Sequence, residues 1–197
     1  MCILKQLAEI SKDNGGVITT AEAGNYGIPR GALHKLCKNG DITRISRGQY
    51  IISNNIQDEL YSLSLRSDKI IFSHETALFL HGLSDRTPFE HTITVPTNCS
   101  PSLQIRNECK IYHIKPDLFE LGKTQVKTQF NNCVTAYDLE RTVCDLIRSR
   151  NRIGTETLLA ALKAYSLRTD KDLNILYDYA KQLRVLSALR QYMEVLL

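Results

Sequence analysis

Residues 27–52 read GIPRGALHKLCKNGDITRISRGQYII, a short basic run followed by two β-rich runs hinged at Arg47-Gly48. Pro29 suits the first turn of a helix, where its missing N–H would have no intrahelical partner in any case. Asn39-Gly40 supplies the stop. Between them Ala32, Leu33, Leu36 and Cys37 fall on one helical stripe, which leaves Arg30, His34, Lys35 and Lys38 on the other side. The runs ITRIS and QYIIS are β-branched and aromatic and stand at hairpin distance, so a two-stranded wing is predicted. From Arg30 to Gln49 five basic residues (Arg30, Lys35, Lys38, Arg44, Arg47) face one acid, Asp41.

Upstream, Leu4, Leu7 and Ala8 share a helical face that ends at DNGG, which predicts a first helix. Thr19 and Glu22 have capping-box spacing ahead of a short second helix that stops near Asn25 or Tyr26. Three helices and a wing within about fifty residues are the order of a winged helix-turn-helix. Its third helix would enter a major groove with Arg30 nearest the base edges and His34 one turn later. Lys35 and Lys38 suit phosphates, and Arg44, Arg47 and Gln49 on the wing would reach the neighbouring backbone or minor groove. Ser46 and Gly48 would let the hairpin approach closely. Thr20, at the head of the second helix, joins these residues as a DNA-contact candidate. The bland alternative is a solvated basic surface or a protein-contact module.

The chain has 197 residues, with 43% hydrophobic and 23% charged residues, which is ample for packed cores. Residues 1–52 carry seven basic and four acidic groups, 53–150 eleven and twelve, and 151–197 seven and five. Positive charge is therefore densest where a phosphate-binding surface is expected. No run of 18 apolar residues occurs and the N-terminus has no signal-peptide pattern, so a soluble protein of the cytoplasm is expected. The cysteines at 2, 37, 99, 109, 133 and 144 form no C-x-x-C pair and read as reduced, mostly buried small hydrophobes.

Beyond SNNIQDE the pattern changes, which places the expected domain boundary at 54/55. DELYSLSLRS reads as a helix, KIIFS as a short strand, and SHETALFLHGL as a helix with Ser73 as its cap and Gly82 past its end. HTITVP, CKIYHIK and GKTQVKTQF alternate as strands. After Asn132 a helix is expected, capped by Thr135 and Asp138 and carrying LERTVCDLIRSR, followed by helices near 155–166, 170–183 and 185–196. The fold class is thus α+β: a winged helix-turn-helix over 1–54 and a mixed domain over 55–197, with a small sheet and a helical C-terminal half.

Enzymatic chemistry finds little purchase. His74-Glu75 begins an H-E pair, yet position 78 is Leu where a zincin needs its second His. His81 lies two turns after His74, and a histidine pair alone is more often packed than metal-bound. Asp85 with Glu108 and Lys110 would make a metal-dependent nuclease set, the runner-up reading. A ligand-responsive regulator is a third. No Gly-rich phosphate loop is present. No cofactor and no metal are expected. In LERTVCDLIR, Arg141 pairs with Asp145 at i,i+4 and Asp145 with Arg148 at i,i+3, either as a salt-bridged helix face or as a cluster that fixes the helix or meets a partner.

With GDITRISRGQYII, SHETALFLHGL and AYDLERTVCDLIRSR in place, the chain resembles the AbiEi family of antitoxins from bacterial abortive-infection operons. The resemblance implies an N-terminal domain that represses its own operon at inverted repeats in double-stranded DNA. It also implies a C-terminal domain that counters a nucleotidyltransferase toxin without a stable complex, the type IV arrangement, with no enzymatic activity of its own. It carries Arg30, His34, Lys35, Lys38, Arg44 and Arg47 over as DNA contacts, and Glu140, Arg141 and Asp145 as the motif of the antitoxin domain. Coiled-coil heptads are lacking, so a monomer that pairs on DNA is expected.

Overall fold

The computed structural model describes residues 3–53 and 56–196, and the side chains of all of these but Asp13, Val195 and Leu196. Two compact units emerge: Met1–Arg66 with Lys127–Cys133, and Ser67–Val126 with Val134–Leu197. The boundary expected at 54/55 falls on residues outside the described set, as does Cys2.

The first unit runs α1 (Ile3–Asp13), β1 (Val17–Thr19), α2 (Thr20–Asn25), α3 (Arg30–Lys38), β2 (Ile42–Ser46), β3 (Gln49–Ile52) and α4 (Glu59–Ser64). The sequence-predicted helices of this unit form where expected, and α2 does so for the expected local reason. Thr19 Oγ1 accepts from Glu22 N at 3.1 Å while Thr19 N donates to Glu22 Oε2 at 3.0 Å, a complete capping box. Pro29 is the N-cap of α3 rather than its first residue. Strand β1 is an addition to the expected order. It pairs antiparallel with β3, giving a three-stranded sheet in the order β1-β3-β2. The helices close over a core of Leu7, Ile10, Ile18, Ala23, Ile28, Leu33 and Ile42. Asp58 caps α4 and also accepts from Thr128 Oγ1 and, at 2.6 Å, from Asn132 Nδ2, so the 127–133 turn is bonded into this unit.

The second unit contains β4 (Ile71–Phe72), α5 (His74–Leu80), β5 (His91–Pro96), α6 (Leu103–Glu108), β6 (Cys109–Ile114), a 3-10 turn at Pro116–Leu118, β7 (Lys123–Lys127) and β8 (Cys133–Tyr137). Its sheet has the order β6-β5-β4-β8-β7, with β4 antiparallel to β5 and parallel to β8, and β5 parallel to β6. Helices α7 (Leu139–Arg148), α8 (Thr155–Ser166), α9 (Leu173–Gln182) and α10 (Leu186–Leu196) form the helical half. The observed class is α+β, as expected.

The sequence reading is corrected at four places in this unit. Thr135 caps nothing, because 133–137 is a strand, and Asp138 alone caps α7 by accepting from Arg141 N at 2.8 Å. Helix α6 was not expected. Ser73 precedes α5 but makes no cap bond; its hydroxyl lies 2.9 Å from His74 Nδ1 instead. Of the described cysteines only Cys109 and Cys144 are buried, whereas Cys133 is exposed. Cys133 opens β8 on the solvent side of an alternating strand. Burial pushes the Cys144 thiol up to about 12, which removes its nucleophilic form at neutral pH.

Candidate nucleic-acid interface

Helix α3 buries Leu33 completely, with Leu36 and Cys37 packed alongside, and this fixes which residues face outward. Arg30, Gly31, His34, Lys35 and Lys38 are all exposed. Arg44 and Arg47 extend the same chemistry along the wing, both exposed. Arg44 Nε donates to Ser46 O at 3.2 Å, which holds the side chain against its own hairpin. Among the described residues none of these six side chains is in an ion pair. The expected groups are thus brought together as a basic helix face and a basic hairpin, their charge unneutralised.

Gly31 adds a geometric feature. A Cβ built there would meet no atom within 4 Å, so packing does not require glycine. Glycine inside a helix costs about 0.5–1 kcal/mol relative to alanine. A bare backbone beside Arg30 suits the close approach of another chain or a phosphate.

One expected contact, Gln49, lies in the interior. Gln49 is only 4% exposed. Its Oε1 accepts from Ser46 Oγ and from Ser62 Oγ, each at 2.8 Å, and its Nε2 donates to Ser62 O at 3.1 Å. It is a buried tie between β3 and α4, because β3 is the middle strand of its sheet. Ser46 is buried with it and does not line the approach surface. Thr20 is half-buried, and its amide donates to Gly48 O at 2.9 Å, bracing the wing turn against α2.

The motif on α7 is also interior. Arg141, Asp145 and Glu140 are 0%, 3% and 7% exposed. Arg141 Nε donates to Asp145 Oδ2 at 3.1 Å, and Nη1 donates to Leu118 O at 2.9 Å and Leu121 O at 2.6 Å. Its guanidinium lies 4.1 Å from the Tyr137 ring centroid. Glu140 Oε1 accepts from Tyr165 Oη at 3.1 Å and from Asp172 N at 2.8 Å. Burial pushes the Asp145 carboxyl above its ordinary range, with Arg141 and Arg148 opposing that shift. The arrangement clasps α7 to the 3-10 turn region, α8 and the start of α9, in place of the solvated face that helical spacing alone allows.

The nuclease set does not assemble. Lys110 Nζ pairs with Glu75 at 3.3 Å, and Asp85 lines a different cavity. Among the described residues no group of three or more His, Cys, Asp or Glu is placed to hold a metal. His74 Nε2 is 3.0 Å from Ser149 Oγ and His81 Nε2 is 2.7 Å from Tyr137 O, so each imidazole is engaged within the protein. Among the described residues no helix is long and apolar enough to cross a membrane.

Comparison with known proteins bears on both units. The fold resembles the crystal structure of the RV2827C protein from Mycobacterium tuberculosis, with a TM-score of 0.64 over 93% of this chain and 75% of that one. At 14% identity the likeness speaks to fold alone. No curated protein matches the sequence. Residues 5–53, which span α1 through β3 and carry every exposed basic group described above, match the family described as transcriptional regulator, AbiEi antitoxin.

Proposed function

We propose that this protein is an antitoxin that represses its own operon, its α3 face and wing binding inverted repeats in the double-stranded DNA of its operator. The observation that carries this reading is the exposed basic face of Arg30, His34, Lys35 and Lys38 beside Arg44 and Arg47, within the segment that matches the regulator family. Arg30 stands at the N-terminal end of α3, where a recognition helix meets base edges. Lys38 at the other end suits a phosphate.

The wider reading is a type IV, abortive-infection system that gives phage resistance. The second unit counters a nucleotidyltransferase toxin without a stable complex, in the cytoplasm, and the protein is a monomer that pairs on DNA. Glu140, Arg141 and Asp145, the motif of the antitoxin domain, act there from the interior by holding the shape of the second unit, a reading their burial supports. A stable dimer in sedimentation of the free protein at micromolar concentration would remove the pairing-on-DNA element.

A reporter driven by the DNA upstream of the gene tests the core of the proposal. Wild type represses it. Arg30→Ala relaxes sequence preference at about 1–3 kcal/mol, and Lys38→Ala weakens binding to all sequences and lowers the salt slope by about one. Equal repression by wild type and both variants would place the DNA-contact surface elsewhere.

A further inference from the structure

The second unit holds a cavity that the DNA-binding reading does not use. Its volume is about 200 Å³, and its walls include His74, Tyr112, Asp145, Arg148, Ser149 and Arg152. His74 is buried and stacks on Tyr112 with ring centroids 3.5 Å apart and planes inclined by 13°. It opens α5 at φ 47°, a left-handed backbone that a residue with a Cβ keeps only where its surroundings enforce it. Strain of that kind clusters at ligand sites.

A polar relay ends at the cavity. Thr94 Oγ1 donates to Ser73 Oγ at 2.8 Å, and Ser73 Oγ lies 2.9 Å from His74 Nδ1. His74 Nε2 lies 3.0 Å from Ser149 Oγ, and in the tautomer that protonates Nε2 the Ser149 hydroxyl hydrogen turns to a molecule in the cavity. Burial, with the charges of Lys110, Arg141, Arg152 and Arg148, holds the imidazole well below its ordinary range, so the ring stays neutral.

The charge around the cavity is unbalanced. Asp145 is tied to Arg141 at 3.1 Å and Lys110 to Glu75 at 3.3 Å, whereas Arg148 and Arg152 have no ion-pair partner among the described residues. Arg152 is held in place over the Tyr112 ring, 4.5 Å from its centroid. We propose that this cavity binds the phosphoryl group of a small phosphate-bearing molecule, with Arg148, Arg152 and the Ser149 hydroxyl as donors. A carboxylate is satisfied by one guanidinium fork, whereas the three terminal oxygens of a phosphate monoester accept from two guanidiniums and a hydroxyl together. The cavity is smaller than the roughly 300–1,000 Å³ of pockets that enclose a whole drug-sized ligand, so it fits the phosphoryl end and leaves the remainder outside.

Thermal unfolding of the full chain tests this with inorganic phosphate and with a nucleoside 5′-monophosphate, each against sodium chloride at matched ionic strength. Both phosphates should raise the midpoint beyond chloride, because a ligand of the folded state stabilises it by mass action. The double variant Arg148→Gln/Arg152→Gln changes two exposed side chains and should lose about tenfold or more in apparent affinity, as expected for lost charge-assisted bonds. Arg30→Ala/Lys38→Ala should retain the phosphate response, which separates this site from the α3 face. No excess stabilisation over chloride, or an undiminished response in the Arg148/Arg152 variant, overturns the proposal. So does an Arg148→Gln/Arg152→Gln variant that loses duplex DNA binding with its phosphate response intact, since the two guanidiniums would then serve a nucleic-acid backbone. Because the readout is phosphate and not operator, failure here leaves the repressor reading standing.

Discussion

At the scale of single residues, the side chains the sequence marks as alike take opposite roles. Arg47 and Gln49 sit two apart across the same turn, yet one is exposed and the other is buried in three hydrogen bonds. Gln49→Ala should therefore destabilise the fold by about 1–3 kcal/mol, because it strands buried hydrogen-bonding groups on Ser46 and Ser62. Urea unfolding measures that loss, and an unchanged midpoint would contradict it. The partner Ser62 lies on a helix that follows the wing, so no local pattern announces the tie, and alternation on a hairpin makes Gln49 look like a surface residue. His74 is similarly hidden: an H-E pair draws attention to metal, while its environment keeps the ring neutral beside Lys110, Arg141, Arg148 and Arg152. Its folded-state pKa is depressed, so the unfolded chain takes up the proton first as pH falls through roughly 6.5. Its contribution to stability is present above that pH and is lost progressively below it. Urea denaturation from pH 8 to pH 5 should show stability falling toward acid, with a shallower fall in His74→Asn. Identical pH profiles would show that His74 does not carry the effect.

At the scale of elements, two glycines test how α3 and α7 are used. Gly31 faces open space, so Gly31→Ala should stabilise the fold by about 0.5–1 kcal/mol while weakening operator binding. Gly122 is the reverse. It has φ +74°, and a Cβ there would lie 2.6 Å from Arg141 Cβ and 3.2 Å from Asp138 Oδ1, at the clasp that holds α7. Gly122→Ala should cost at least about 1–3 kcal/mol from backbone strain alone. Paired thermal melts and operator titrations read both; a stabilised Gly31→Ala with full DNA affinity would separate α3 from DNA. The helices of the first unit were legible because capping boxes, Pro and Asn-Gly stops act locally. Strand β1 was not, since three residues that end on the capping threonine itself carry no periodicity. Strand β8 was masked because Thr135 and Asp138 imitate a capping box, while the sheet position that makes 133–137 extended depends on β4, some sixty residues earlier in the chain.

At the scale of the whole molecule, the sequence conveyed the class of each unit better than the purpose of the second. Charge density and helix order located the basic face of the first unit, and Arg30, His34, Lys35, Lys38, Arg44 and Arg47 are exposed as that reading requires. In the second unit the eye-catching charges of LERTVCD turn inward, and a buried ion pair contributes more to defining one arrangement than to net stability. The residues around the cavity beside His74 come from α5, β5, β6, the end of α7 and the turn after it, a convergence that no spacing rule reveals. The most direct test is fluorescence-anisotropy titration of the full chain against the DNA upstream of its own gene and against a scrambled duplex, across a salt series. Repressor function requires tighter binding to the upstream DNA at every salt concentration, with affinity falling linearly in log salt as released counterions accumulate. Equal affinity for both duplexes, or affinity indifferent to salt, would contradict it.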